Sequence, residues 1–499
     1  MGTAQLSKSA AVRQRLSHPV IDSDGHTVEF EPGVMDYLRH IGGPAIVERY
    51  KSERSNGMLA SLGGMLSWHR MSPEERRDKR VTIPPWWALP TKNTFDRATA
   101  MLPRLMYERL DDMGLDVTVV YPTFGLLAPH LDDAEIRRAA CRAFNSYHAD
   151  VFREYGDRII PVAVIPMHTP QEAVEELDYA VKTLGMKAVM LAGHVVRPIP
   201  YVARQAPELA KYAYWLDTFC LESEYDYDPV WAKCVELKVA PTFHSAAMGW
   251  GGRTSISTYM YNHIGHFAEA GEALCKALFF GGVTRRFPAL KFAFLEGGVS
   301  TGARIYADLI ARWKKRNPEA IENYNPANLN LELLADLCRR YGGRVTEGKL
   351  EQLTTASGAT INTKAAPENV NDFHRSGVQK EEDIRDLFIP HFYFGCEADD
   401  PMNVTAFNTK ANPFGEKLRA VFSSDIGHWD VPDMTEVTEE AYELVEHGVI
   451  TEDDFRDFVF TNPATLWTGV NPDFFTGTVV EKQIKQFLQA GSHEEHAAN

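Results

Sequence analysis

The chain has 499 residues, of which 44% are hydrophobic and 24% charged, the composition of an ordinary globular protein. Its formal net charge of −16 at pH 7 argues against a nucleic-acid partner or an anionic membrane surface, because both require clustered basic side chains. The sequence has no run of about 18 apolar residues, so no membrane span is predicted.

The six cysteines include no Cys-x-x-Cys pair, so neither a zinc knuckle nor a redox dithiol is indicated. Residues 1–20 lack the apolar core of a secretory signal. Isolated cysteines in a chain of this length are typical of reduced thiols, and we expect a cytoplasmic protein.

Eight short apolar segments predict a parallel (β/α)8 TIM barrel. Strands of such a barrel are buried on both faces and appear as continuous apolar runs. The predicted strands are Pro19–Asp24, Asp116–Pro122, Ile159–Pro166, Lys187–Ala192, Val239–His244, Lys291–Glu296, His391–Glu397 and Arg419–Asp425. Helices are predicted at Asp133–Arg153, Pro170–Leu184, Glu436–His447 and Thr451–Phe460. The fold class is therefore α/β.

The barrel is predicted to span residues 19–470, between an N-terminal segment, 1–18, and a C-terminal tail, 471–499. Long insertions are predicted after strands 1 and 6, at residues 27–115 and 299–389. Both leave the catalytic end of the barrel, which favours lids or subunit contacts. We expect Trp68, Trp86 and Trp87 to cover the barrel mouth or a subunit interface, because a monomer seldom leaves such apolar area bare.

Four predicted strands end on side chains that can bind a metal. The motif Asp24-Gly25-His26 directs two such side chains to the same side of a strand. His244, Glu296 and Asp425 end strands five, six and eight. Because the C-terminal ends of barrel strands surround one mouth, these donors are expected to converge. The alternatives are a turn cap for Asp24, a core histidine for His244 and salt-bridged or capping carboxylates for the others.

Other side chains are candidates for substrate contact. His428 follows Asp425 by three residues, and Arg253 is a candidate for holding a substrate carboxylate. His263 and His266 are spaced i, i+3 on a predicted helix, Asn262–Ala268, where they are either further ligands or part of a lid. His194, past the end of strand four, is a weaker candidate.

The segments Ile21–Glu29 and Phe422–Asp430, with the strand-end His244, resemble the amidohydrolase-related branch of the amidohydrolase superfamily. That branch includes enzymes similar to aminocarboxymuconate-semialdehyde decarboxylase. The family's His-x-His falls on Asp24 and His26, with Asp in place of the first His. The strand-five His falls on His244 and the strand-eight Asp on Asp425. Strand six, where the family often has a His, carries Glu296.

The resemblance implies a metal-dependent hydrolase or nonoxidative decarboxylase acting on a small carboxylate-bearing substrate. The expected metal ligands are Asp24, His26, His244, Glu296 and Asp425, and the expected catalytic residues are Glu296, His428 and Asp425. Three carboxylates with two imidazoles bind zinc but favour manganese or iron more than a His-rich set does. One ion is expected, and a second is left open.

Two alternative interpretations keep the barrel fold but assign a different function. In both, the chain is a subunit of a metal-dependent monooxygenase similar to aminoisobutyrate hydroxylase. It is the catalytic subunit in one and a metal-binding partner subunit in the other. Either way, we expect a homo- or hetero-oligomer, in which a paralogous subunit is one option.

Overall fold

Buried apolar segments form the strands of a parallel barrel. The computed structural model describes residues 6–56, 68, 70–83, 92–247, 254–353 and 370–498. The strands are β1 (Ile21–Thr27), β2 (Val117–Pro122), β3 (Ile159–Ile165), β4 (Ala188–Leu191), β5 (Val195–Pro198), β6 (Tyr214–Asp217), β7 (Pro241–Phe243), β8 (Phe292–Phe294), β9 (Phe392–Cys396) and β10 (Arg419–Phe422). Eight of them pair in the order β1-β2-β3-β4-β7-β8-β9-β10.

Two backbone hydrogen bonds join the first strand to the segment after the last one. The Asp425 N–H donates to the Asp24 carbonyl at 3.0 Å, and the His26 N–H donates to the Ile426 carbonyl at 2.9 Å. The sheet is thereby closed, and the predicted (β/α)8 barrel is confirmed.

Helices connect the strands and surround the sheet. They are α1 (Lys8–Arg15), α2 (Glu31–Asn56), α3 (Pro73–Lys79), α4 (Thr94–Met101), α5 (Pro103–Met113), α6 (Ala134–Val151), α7 (Pro170–Asp178), α8 (Pro200–Gln205), α9 (Asp228–Leu237), α10 (Tyr259–His263), α11 (His266–Phe280), α12 (Val283–Arg286), α13 (Val299–Arg316), α14 (Leu331–Tyr341), α15 (Glu381–Phe388), α16 (Val404–Phe407), α17 (Val437–Glu446), α18 (Glu452–Arg456), α19 (Asn462–Thr468) and α20 (Glu481–Ala498). In the part of the chain that is described, no helix combines the length and apolarity needed to cross a membrane.

All eight predicted barrel strands are present, with shifted ends. β1 continues to Thr27, so Asp24 and His26 lie within it. The fifth, sixth and eighth barrel strands end earlier than predicted, at Phe243, Phe294 and Phe422. As a result, His244, Glu296 and Asp425 lie just beyond their strands.

Two features differ from the sequence prediction. β5 and β6 form an antiparallel hairpin inside the connection that follows β4, and the prediction missed it. The single helix predicted at Asn262–Ala268 is wrong, because Gly265 adopts φ +76° and separates α10 from α11. His263 and His266 therefore lie on two different helices.

Aromatic residues fix how the helices pack on one side of the barrel. Phe243, Phe294 and Phe394 are aligned across β7, β8 and β9. Glycines of α11 and α13 face two of these rings, and a Cβ atom at Gly302 would lie 2.4 Å from the ring of Phe394. Since strand side chains alternate, His244, directly after Phe243, is directed away from this aromatic row.

The structure describes only one of four other residues that the sequence singled out. Trp68 is described, and the guanidinium of Arg76 lies 3.6 Å from the centre of its ring. Trp86, Trp87 and Arg253 lie outside the described residues. Their proposed roles, like the domain boundaries, stay predictions.

Candidate metal centre

Five strand-end side chains meet at the mouth of the barrel. They form the strand-end cluster: Asp24, His26, His244, Glu296 and Asp425. The structure contains two overlapping groups whose ligand atoms all lie within 4.8 Å of one another. One group is Asp24, His26, His244 and Glu296, and the other is His26, Glu296, Asp425 and His428.

The distances from His26 and Glu296, which belong to both groups, are close to those of donors that share one ion. Glu296 Oε1 lies 2.9 Å from His244 Nε2 and 3.3 Å from His26 Nε2. His26 Nε2 lies 3.4 Å from an Asp425 oxygen and 3.6 Å from an Asp24 oxygen. Two donors on one ion, each at about 2.1 Å, are about 3.0 Å apart in octahedral and about 3.4 Å apart in tetrahedral geometry.

The burial of Asp24 is the main evidence that the cluster fits a cation. Its side chain is fully buried, and neither carboxylate oxygen has a hydrogen-bond partner among the described residues. A buried carboxylate without a partner is strongly unfavourable, whereas a cation at the centre of the cluster satisfies it. Carboxylate oxygens and imidazole nitrogens are the donors that Mn²⁺, Fe²⁺ and Zn²⁺ accept. The residues present therefore fit a divalent metal.

Two of the carboxylates are held by unusual backbone conformations. Glu296 and Asp425 both have φ +51°, in the left-handed region that non-glycine residues seldom adopt. This conformation costs roughly 1–2 kcal/mol per residue. Both residues follow the last residue of their strand closely, so the turn directs each carboxylate into the mouth. Strained residues of this kind concentrate at functional sites.

Asp22 and Gly25 hold the first strand in place. Asp22 accepts hydrogen bonds from the Thr118 hydroxyl at 2.6 Å and from the Ser424 hydroxyl at 2.7 Å, which links β1 to β2 and to the end of β10. A Cβ atom at Gly25 would lie 2.6 Å from the Thr118 hydroxyl, so only glycine fits there. The pairing of β1 with β2 shifts register between Asp22 and Gly25, as in a β-bulge.

Charge and burial set the protonation of the cluster when no ion is bound. Burial lowers the pKa of His244, but Glu296 and Asp24 raise it more strongly, to about 9. Burial raises the pKa of Glu296, yet His244 and hydrogen bonds from three histidines hold it well below its usual range. Burial, followed by neighbouring carboxylates, raises the pKa of Asp425 well above its usual range. In the ion-free cluster, protons therefore offset part of the negative charge.

His428 lies beside the strand-end cluster and is its most accessible neighbour. Its side chain is 16% exposed, compared with 5% or less for each member of the cluster. His428 Nδ1 lies 2.7 Å from an Asp425 oxygen, and its ring centre is 3.7 Å from that of His26. His428 is therefore more open to the mouth than the five members of the cluster.

The sequence reasoning missed Glu397 as a site residue. Glu397 follows β9 and is half-buried, and burial, followed by Asp430 and Glu296, raises its pKa to about 8. It ended a predicted strand just as Glu296 did, so the same rule would have identified it.

Further histidines surround the centre at a greater distance. His263 and His266 have ring centres 4.8 Å apart, and His263 is 3.2 Å from the Tyr259 hydroxyl. His194 has its ring centre 5.2 Å from that of His130, which lies 3.4 Å from the hydroxyl of Ser245. Within the described residues, none of these histidines belongs to either potential metal group.

A family model described as amidohydrolase matches residues 86–323 of the chain. The matched segment includes β2 to β8 and therefore contains His244 and Glu296. This match confirms the resemblance seen in the sequence.

Solved structures with a similar fold include an amidohydrolase from Mycobacterium avium subsp. paratuberculosis, 17% identical, covering 91% of this chain and 98% of that chain with a TM-score of 0.48. A 5-carboxyvanillate decarboxylase from Novosphingobium aromaticivorans, solved with manganese and 4-hydroxy-3-methoxy-5-nitrobenzoic acid, is 14% identical, covers 91% and 96%, and has a TM-score of 0.46. A dihydroxybenzoic acid decarboxylase from Polaromonas sp., with manganese and 2-nitroresorcinol, is 15% identical, covers 90% and 97%, and has a TM-score of 0.47. Because all three TM-scores lie below 0.5, no conclusion about the chemistry of this chain follows from them.

Proposed function

We propose that the chain is a divalent-metal-dependent enzyme that removes the carboxyl group of a small carboxylate-bearing substrate without oxidation. The observation that carries the proposal is the convergence of the five strand-end donors beside a more accessible His428. We place manganese ahead of zinc, because three of the five donors are carboxylates and oxygen donors favour the harder ion.

The strand-end cluster would hold the ion through Asp24, His26, His244, Asp425 and Glu296. When bound, the metal supplies a positive centre that polarises an oxygen of the substrate. In a nonoxidative decarboxylation the carbon–carbon bond breaks, its electron pair stays on the substrate carbon, and CO₂ leaves. That carbon must then take up a proton.

His428 and Asp425 are suited to supply this proton. His428 Nδ1 lies 2.7 Å from an Asp425 oxygen, a contact that orients the imidazole. Because His428 is the member open to the mouth, we assign proton delivery to its imidazole and orientation of that imidazole to Asp425. Glu296 is assigned as a ligand or as a second proton acceptor.

The test is turnover of carboxyl-labelled substrates by the manganese-loaded protein. A first panel consists of small aromatic carboxylates such as 2,6-dihydroxybenzoate and 5-carboxyvanillate, run in deuterated water. Labelled CO₂ and deuterium at the vacated carbon are expected together. His428→Gln should lower kcat by about 100-fold or more while metal content stays unchanged. His447→Gln, an exposed histidine after α17, serves as the matched control.

Other products would assign other chemistry. Cleavage of the substrate by water without CO₂ would replace decarboxylation by hydrolysis. Oxygen consumption coupled to substrate loss would instead support the monooxygenase alternative.

A further inference from the structure

Helix α14 lies in the predicted second insertion and carries an apolar stripe that the described part of the chain leaves uncovered. All residues of α14 are described, and none of them is buried. Leu333, Leu337 and Tyr341 follow one another at intervals of four and are 52%, 38% and 78% exposed. Leu329 before the helix and Val345 after it are also exposed, at 39% and 77%. The three helical residues, Leu333, Leu337 and Tyr341, form the α14 stripe.

An interval of four places these side chains along one side of a helix. Isolated helices of fewer than about 12 residues are marginal in water, and most helices in proteins are stabilised by packing of an apolar face. The N-terminus of α14 is capped, since the Asn330 side chain accepts the Leu333 N–H at 2.9 Å. Capping alone does not bury the stripe, so its cover has to come from elsewhere.

The distribution of charge along α14 identifies that cover. The first half of the helix carries Glu332 and Asp336, and the second half carries Arg339 and Arg340. In an antiparallel pair of two α14 helices, the acidic half of each lies beside the basic half of the other. The helix dipoles then also oppose each other favourably. A parallel pair would instead bring like charges together.

We propose that the α14 stripe is a homotypic interface, in which α14 of a second copy packs antiparallel across a two-fold axis. Such an interface uses the same patch on both subunits, and the charge order of α14 meets that requirement. Asp336 and Arg340 form an ion pair within one helix and are able to exchange partners across the axis. Residues 354–369 are a poor alternative cover, because Ile361 is their only large apolar residue.

The first test is sedimentation velocity of the full-length protein over a range of concentrations. The wild type should show a concentration-dependent association step, and Leu333→Glu/Leu337→Glu should abolish it. The matched control is Leu209→Glu, which introduces the same change at a leucine that is 49% exposed in another region. An unchanged step in the stripe variant, or its loss only in the control, would overturn the proposal. A wild type without any association step would overturn it as well.

A charge exchange separates self-association from binding of an unrelated partner and from misfolding. Arg339→Glu/Arg340→Glu makes the charged residues of α14 acidic, and Glu332→Lys/Asp336→Lys makes them basic. Each variant alone should fail to associate, whereas a one-to-one mixture should form a mixed dimer in native mass spectrometry. Recovery in the mixture shows that both variants are folded. A mixture that stays monomeric refutes the homotypic interface.

Discussion

Replacing Glu296 by glutamine tests the electrostatics of the strand-end cluster in the metal-free protein. Glu296 Oε1 lies 2.9 Å from His244 Nε2, and its charge is the largest contribution that raises the pKa of His244. The difference between that pKa, about 9, and the ordinary value of 6.5 corresponds to about 3 kcal/mol. Glutamine keeps the shape of the side chain but removes its charge, so burial is less fully opposed. The pKa of His244 should therefore be more than about one unit lower in the variant than in the wild type, a difference of about 1.4 kcal/mol or more.

The assay is an NMR pH titration of histidine-labelled, metal-free protein, with the His244 signal assigned from His244→Gln. Glu397→Gln is the matched control, because Glu397 is also a strand-end glutamate but is not among the groups that raise the pKa of His244. Metal binding displaces the His244 proton, so wild-type affinity should rise with pH up to about 9 and the variant should show a weaker dependence. If His244 still titrates near 9 in Glu296→Gln, another anion holds its proton and the electrostatic reasoning is refuted.

Three further predictions concern ligands, pH and packing. His26→Ala and His244→Ala should each weaken Mn²⁺ binding by more than about 100-fold, since loss of a residue that only hydrogen-bonds to a ligand already costs about 10- to 100-fold. Isothermal calorimetry measures this affinity, and full affinity in both variants would exclude the two histidines as ligands. Burial raises the pKa of Glu29 to about 7, so the folded state keeps a proton that the unfolded state releases, and the contribution of Glu29 to stability should fall by up to about 3 kcal/mol between pH 4.5 and 7. In urea unfolding, the stability of the wild type relative to Glu29→Gln should decline by that amount over this range, and identical pH profiles would contradict the prediction. Gly302→Ala should destabilise the fold by about 1–3 kcal/mol, because its Cβ atom would lie 2.4 Å from the ring of Phe394, and an unchanged Tm would contradict this.

The barrel was predictable because its strands are short, apolar and regularly spaced. Each of the eight predicted segments overlaps a strand, although the ends shift by one to a few residues. The hairpin β5–β6 was not predictable in the same way. Its strands are only partly buried, and the ion pair between Arg197 and Asp217 at 2.6 Å links them, so they lack the continuous apolar pattern.

That the five side chains of the strand-end cluster lie close together could be predicted from the barrel topology alone. Once Asp24, His244 and Asp425 lie near the C-terminal ends of parallel strands of one barrel, their side chains are brought to the same mouth. The sequence did not show how Glu296 and Asp425 reach it, because a left-handed φ at a non-glycine residue has no sequence signature. Nor did it show that Gly265 separates His263 from His266, since a glycine inside a helical pattern is often tolerated.

The protonation state of the cluster is the property that is hardest to predict from the residue types alone. Three buried carboxylates at one mouth repel one another, and only a cation or bound protons relieve that repulsion. Without an ion, the raised pKa values of Asp24, Asp425 and His244 show that protons take this role. A metal that enters the cluster must therefore displace protons from groups already in place. Two of the carboxylates, Glu296 and Asp425, are directed into the mouth by the backbone, through their left-handed φ of +51°.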